Sequence, residues 1–177
     1  DFVVLCLTGF SCSGKTSVAR YLADHYNYSV ISVRNISHAL AVENGFSRTR
    51  EWLSNTSIEQ YLSECRKYIL SIINNRQNFI IDDLFDIQLW NGVVLYDSIL
   101  VSFNLDKSIR IKRIFQREKL KSMDDAENEL MFLDTWKERF GILEVISSAG
   151  FNVDTTNKQI AEIAETLLSI VEKNREV

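Results

Sequence analysis

Gly9-Phe10-Ser11-Cys12-Ser13-Gly14-Lys15-Thr16 constrains this chain more than any other stretch. It fits the pattern G-x-x-x-x-G-K-[ST] without a mismatch. Before it, Val3, Val4, Leu5 and Leu7 form an apolar run, interrupted only by Cys6 and suited to a buried parallel strand. After it, Val18, Ala19, Tyr21, Leu22 and Ala23 recur at helical spacing from Ser17 onward. Strand, glycine loop and helix together form the setting in which the pattern has a physical meaning. Glycines at both ends admit backbone angles closed to other residues, so main-chain N–H groups can surround an anionic oxygen. The opening helix adds unsatisfied amides and the positive end of its dipole. The stretch is therefore read as a phosphate-binding loop.

Each loop residue then has an expected part in holding ATP and Mg²⁺. Gly9, Ser11, Cys12, Ser13, Gly14, Lys15, Thr16 and Ser17 are the expected phosphate cradle. Lys15 is expected to reach the β- and γ-phosphates, and the Thr16 hydroxyl to complete a Mg²⁺ shell. Cys12 sits within the loop, where a small filler is the simplest role for it.

Composition narrows the remaining classes. The 177 residues, 46% of them hydrophobic, suit one domain with a full core. The net charge of −4 gives no general reason to expect a nucleic-acid partner, and no basic stripe with interleaved aromatics occurs. Three cysteines, Cys6, Cys12 and Cys65, without a C-x-x-C pair, point to reduced thiols and a cytoplasmic setting. No apolar run is long enough to cross a bilayer, and no signal peptide is recognisable. The chain begins at Asp1 rather than methionine, as a trimmed chain or a piece of a larger protein would. Proline is absent, so element boundaries rest on Gly, Asn, Asp and Ser.

In chain order, strands are expected over 28–33, 78–83, 99–103 and 150–154. Helices are expected over 36–43 (capped by Asn35 or Ser37 and ended by Asn44-Gly45), 57–74, 108–119, within 123–149, and over 159–173. Strands alternating with helices predict an α/β, three-layer fold around a five-stranded, mostly parallel sheet. Ligands of such a sheet bind beyond the carboxyl ends of its strands, where the loop and Asp82-Asp83 both fall.

Further candidates follow from that placement. Asp82 and Asp83 end an apolar strand, where a Mg²⁺-directed carboxylate is expected; Asp82 is favoured, and a helix cap for Leu84 onward is the competing role. Arg110, Arg113 and Arg117, spaced three and four apart, share a helix face suited to a transferring phosphoryl group. Arg113 and Arg117 are the catalytic candidates beside Lys15 and Asp82, while Asp106 with Arg110 fits an i,i+4 pair. Arg34, Arg48 and Arg50 follow the second strand, and Arg34 and Arg50 are the expected acceptor ligands. His25 and His38 lack metal-ligand spacing. Trp52, Trp90 and Trp136 read as core or groove lining, with Trp52 beside Arg50.

With these residues placed, the chain resembles the small P-loop kinases, namely nucleoside monophosphate kinases and dephospho-CoA kinase. Besides the loop, Ile36-Ser37-His38-Ala39-Leu40 is similar to the I-x-H-x-L of dephospho-CoA kinases, and Arg50-Glu51-x-Leu53 to a T-R-E-x-L stretch of archaeal-type relatives. Leu105 to Arg117 resembles a fourth-strand exit and lid helix; Asp134, Gly141-Ile142-x-Glu144-Val145-Ile146 and Asn152 resemble the ending of the same relatives. The chain departs from the pattern at Ser32, Val33-Arg34-Asn35 and Asp83-Leu84-Phe85-Asp86, where aspartates, T-G-D and D-G-x-P-R would stand. The resemblance implies a P-loop NTPase fold with a core over 1–34, 78–116 and 150–177, a helical acceptor-side insert over about 35–77, and a short lid with following helices over about 117–149. It implies an ATP-dependent kinase, monomeric or homodimeric, acting on a nucleotide-like small molecule, with neither nucleic acid nor membrane as partner. The alternative is a nucleotide-binding module or slow NTPase whose nucleotide state is read by a partner.

Overall fold

Five parallel strands carry the site, in the spatial order β2-β3-β1-β4-β5. In the computed structural model, which describes residues 1–176, these are β1 (Val4–Thr8), β2 (Tyr28–Ser32), β3 (Asn78–Asp82), β4 (Ser98–Asn104) and β5 (Phe151–Asp154). The apolar strand runs reflect burial on both faces. Val4, Cys6, Ile31, Phe79, Ile81 and Leu100 point into one core, while Leu5, Leu7, Ile80, Ile99, Val101 and Phe103 point into the other.

Helices cover both faces and make three layers. Helices α1 (Lys15–Tyr26) and α9 (Ile160–Arg175) supply Val18, Leu22, Ile163 and Leu167 to one core. The other core is covered by α2 (Val33–Glu43), α3 (Thr49–Ser54), α4 (Ile58–Ile72), α5 (Ile87–Val93) and α8 (Ile142–Ser148), with the end of α7 (Met123–Phe140). There Tyr61 and Phe85 stack on Phe140 at 5.1 and 4.9 Å between ring centroids, and Trp52 meets Tyr61 edge-on at 5.2 Å. Helix α6 (Lys107–Arg117) packs against α7 through Ile114, Ala126 and Leu130, after a short turn over 118–122.

Several expected boundaries move, each for a local reason. Ser32, not Asn35 or Ser37, caps α2: its hydroxyl accepts the Asn35 N–H, so the helix starts at Val33 and β2 stops one residue early. Ser37 is instead buried, bonded to the Tyr61 hydroxyl at 2.7 Å. The helical run within 123–149 breaks at Gly141, whose φ of 102° ends α7 and turns the chain into α8. The short helices α3 and α5 were not expected, because six- and seven-residue helices show too few turns for a period. Asp83 caps no helix; Asp86 caps α5, accepting the Gln88 N–H. Nor does Asp106 pair with Arg110: it caps α6 through the Ser108 N–H.

Candidate active site

The glycine loop lies at the carboxyl ends of β1, β3 and β4. Register places Leu7 beside Asp82 and Thr8 beside Ser102, so residues just past these positions converge. Gly9 has φ 141°, and a Cβ there would sit 2.6 Å from the Phe103 carbonyl oxygen; only glycine fits between the strands. Cys12 holds a left-handed φ of 65° and Gly14 one of 98° just before α1 begins. The loop thus delivers its amides to the first turn of a twelve-residue helix, an anion-binding arrangement.

Lys15 is 5% exposed, with its ammonium turned back into the loop. It donates to Gly9 O at 2.7 Å, Phe10 O at 2.9 Å and Ser13 Oγ at 3.1 Å, and lies 3.5 Å from Asp83 Oδ1. Burial, and then the neighbouring Lys137, lower its pKa to about 8. Thr16 Oγ1 donates to Asp82 Oδ2 at 2.8 Å, joining the start of α1 to the end of β3. Asp82 is 4% exposed, and its Oδ1 is buried without a protein partner. Burial pushes the Asp82 carboxyl above its usual range. A hydroxyl and a carboxylate with one orphaned buried oxygen form an oxygen-only donor set, which fits a hard divalent cation and its water shell.

Asp83 stands next to this pair with φ 79°, its N–H turned toward Leu7 O at 3.2 Å. Lys137 of α7 donates to Asp83 Oδ1 at 2.7 Å and to Gly9 O at 3.3 Å. Burial alone would raise the Asp83 carboxyl, but Lys137 and Lys15 more than offset it and hold it below its usual range. Arg110, the buried member of its trio, donates to Ser11 O and takes both Asp134 oxygens, at 2.7 and 2.9 Å. Helices α6 and α7 are thereby tied to the loop.

The remaining expected residues separate into two groups. Arg34, Arg113, Arg117 and Ser17 line an open cleft of about 400 Å³ with residues 12–16, Thr155 and Lys158. Arg113 also donates to Cys12 O at 3.2 Å, whereas Arg117 reaches Glu118 at 3.1 Å on the rim. Arg50 stays outside this cleft: it pairs with Glu129 and lies 4.3 Å over the Phe132 ring. Arg48 is exposed and pairs with Glu51, and Trp52 is 2% exposed in the core rather than beside a ligand. His25 and His38 are exposed. Sequence reasoning named Asp83 beside Asp82 as a candidate carboxylate but did not anticipate its pairing with Lys137. A lysine in a charged helix reads as solvated surface, and only its place one turn after Asp134 hinted otherwise.

No family model matches the chain. A cytidylate kinase of Methanococcoides burtonii is 29% identical over 121 residues, and the match covers 66% of this chain and 63% of that protein's length. Among solved structures, an uncharacterised protein of Eubacterium ventriosum superposes with a TM-score of 0.70 at 13% identity, covering 96% of this chain and 98% of that one. The shikimate kinase of Acinetobacter baumannii, solved with shikimate, superposes with a TM-score of 0.61 at 16% identity, covering 98% and 94%. That of Aquifex aeolicus gives 0.58 at 17%, covering 97% and 98%. With its glycine loop at the ends of a 2-3-1-4-5 parallel sheet, the chain has the fold of the small P-loop kinases.

Proposed function

We propose that this chain is an ATP-dependent phosphotransferase acting on a nucleotide or nucleotide-like small molecule. The observation that carries the reading is the convergence of Lys15, Thr16, Asp82 and Asp83 at one point beside the glycine loop. Phosphoryl transfer asks for positioning and charge neutralisation more than covalent help, and these residues supply both. Thr16 and the orphaned Asp82 oxygen would hold Mg²⁺, which supplies charge neutralisation at the phosphates. Lys15 exchanges its loop carbonyl partners for terminal phosphate oxygens, which favour its charged form. Arg113, bonded to the loop at Cys12 O, faces the same phosphates, with Arg117 at the rim and Arg34 at the α2 end of the cleft. The segment 35–77 serves the acceptor side in this reading, and 117–149 contains the lid. A soluble, cytoplasmic monomer or homodimer fits the free thiols of Cys6, Cys12 and Cys65.

The test is an acceptor screen with Mg·ATP, following ADP release for each small molecule offered. One acceptor that raises turnover well above the acceptor-free rate supports the reading. A flat panel with ATP still bound would replace it with a nucleotide-binding module whose state a partner reads.

A further inference from the structure

We infer that Arg110 is a positioning residue for phosphate binding: oriented by Asp134, it fixes the peptide joining Ser11 to Cys12 before any nucleotide arrives. The inference rests on the nucleotide-binding part of the reading above and gives Arg110 a task different from that of Arg113 and Arg117.

From Gly9 to Ser13, every carbonyl oxygen of the glycine loop accepts a hydrogen bond from a side chain. Lys15 donates to Gly9 O and Phe10 O, Arg110 to Ser11 O, Arg113 to Cys12 O and Thr155 to Ser13 O. In a trans peptide the C=O and the next residue's N–H point in opposite directions. A carbonyl held on one side of the loop therefore turns the following amide to the other. The holders are not equivalent. Lys15 leaves its carbonyls for phosphate in the function proposed above, and Arg113 and Thr155 line the cleft themselves. Arg110 is buried and, among the described residues, is not part of that lining. Its Nη2 donates to both Asp134 oxygens, at 2.7 and 2.9 Å, and its Nε to Ser11 O at 2.8 Å. The guanidinium also lies 5.5 Å from the centre of the Phe10 ring. A planar fork used in this way has one orientation, and its charge strengthens the bond to the carbonyl.

The peptide that Arg110 holds adjoins the most strained part of the loop. Cys12 has a left-handed φ of 65° without being glycine, a backbone that persists only where its surroundings enforce it. The carbonyls on either side of the Cys12 α-carbon, Ser11 O and Cys12 O, are gripped by Arg110 and Arg113, one turn apart on α6. Of the two, Arg113 is exposed and faces the cleft, so the buried Arg110 is the fixed point. It sets the Cys12 N–H on the side opposite its own guanidinium, next to Ser13 and Gly14 in the cleft wall. A cradle set in advance binds an anion without the ordering cost that a loose loop would carry.

Nitrogen-15 relaxation and calorimetry with Mg·ATP test this on the wild-type chain, Arg110→Met and Arg110→Lys. In the nucleotide-free wild type, amide order parameters at Ser11, Cys12 and Ser13 should reach about 0.85, the value of rigid backbone. In Arg110→Met they should fall below about 0.6, and affinity for Mg·ATP should drop about tenfold or more. Arg110→Lys, which keeps the charge but not the fork, should fall between. If Arg110→Met does not fold, Asp134→Asn, which loosens the arginine without removing it, must still weaken binding by about threefold. A loop already mobile in the nucleotide-free wild type would overturn the inference and leave the nucleotide reading standing. So would a folded Arg110→Met variant with wild-type loop order: weakened affinity would then make Arg110 a direct phosphate ligand, and unchanged affinity a structural strut. Unchanged affinity in Asp134→Asn would count equally against it. Failure of the wild type to bind Mg·ATP would remove the nucleotide reading and the inference together.

Discussion

The two flanks of the glycine loop handle positive charge in opposite ways. On one, Lys15, Arg34, Arg113, Arg117 and Lys158 line an open cleft that, among the described residues, no carboxylate lines. On the other, Arg50, Arg66, Arg110 and Lys137 are each joined to an acidic partner, and Trp52, Tyr61, Phe85 and Phe140 fill the space between helices. In a chain of net charge −4, five cations gather around one cleft, and three of them, Arg34, Arg113 and Lys158, have no acidic partner among the described residues, an arrangement suited to a polyanion. The opposite flank is neutralised before any ligand arrives, so whatever binds there is chosen by shape and hydrogen bonding more than by charge. In the function proposed above, the open flank is the donor side and the paired flank the acceptor side.

The comparison breaks most sharply at the loop. Lys15→Ala should keep the fold, since it removes a buried ammonium, yet lower transfer by roughly 10³-fold, about 4 kcal/mol of transition-state stabilisation. Steady-state kinetics with circular dichroism would check both halves. On the paired flank the largest effect should fall on stability. Lys137→Met leaves Asp83 with only the longer contact to Lys15, and losing one partner of a buried pair costs about 3 kcal/mol. Urea denaturation should register that loss, whereas a change within about 0.5 kcal/mol would make the pair a surface contact in effect.

A pH series sharpens the open flank. Lys15 titrates near 8 in the nucleotide-free protein, and bound phosphate favours its charged form and so raises that pKa. Below about pH 7 the lysine is already charged, and binding takes up no proton. Above 8 it must gain one, so affinity should fall by up to about tenfold per pH unit until the raised pKa is reached. Calorimetry in buffers of different ionisation enthalpy would count that proton. The smallest effect is expected at the rim: Arg117 is 40% exposed beside Glu118, so Arg117→Ala should change kcat by only about threefold. A loss matching that of Lys15→Ala would move Arg117 into the transfer machinery.

The glycine loop and the strand beside it were legible in the sequence because their signals are local. Eight consecutive residues specify the loop, and an apolar run ending in Asp82 gives its partner strand. The paired flank was not, because it depends on contacts between distant segments. Asp83 meets Lys137 across 54 positions, and Arg50 meets Glu129 across 79. A buried lysine has the same letter as a solvated one, and no spacing rule told Arg50 to turn toward Phe132 rather than toward the cleft. Sheet, layers and loop followed from periodicity; Ser32 displaced the expected caps because a serine at a strand end can do so one turn earlier.

The central claim is that the open flank is a site for Mg·ATP governed by Lys15, and one calorimetric titration tests it directly. Mg·ATP added to the wild-type chain and to Lys15→Ala at pH 7 should give saturable one-to-one binding in the first and a loss of about tenfold or more in affinity in the second. Absence of binding to the wild type, or equal affinity in both, would contradict the account.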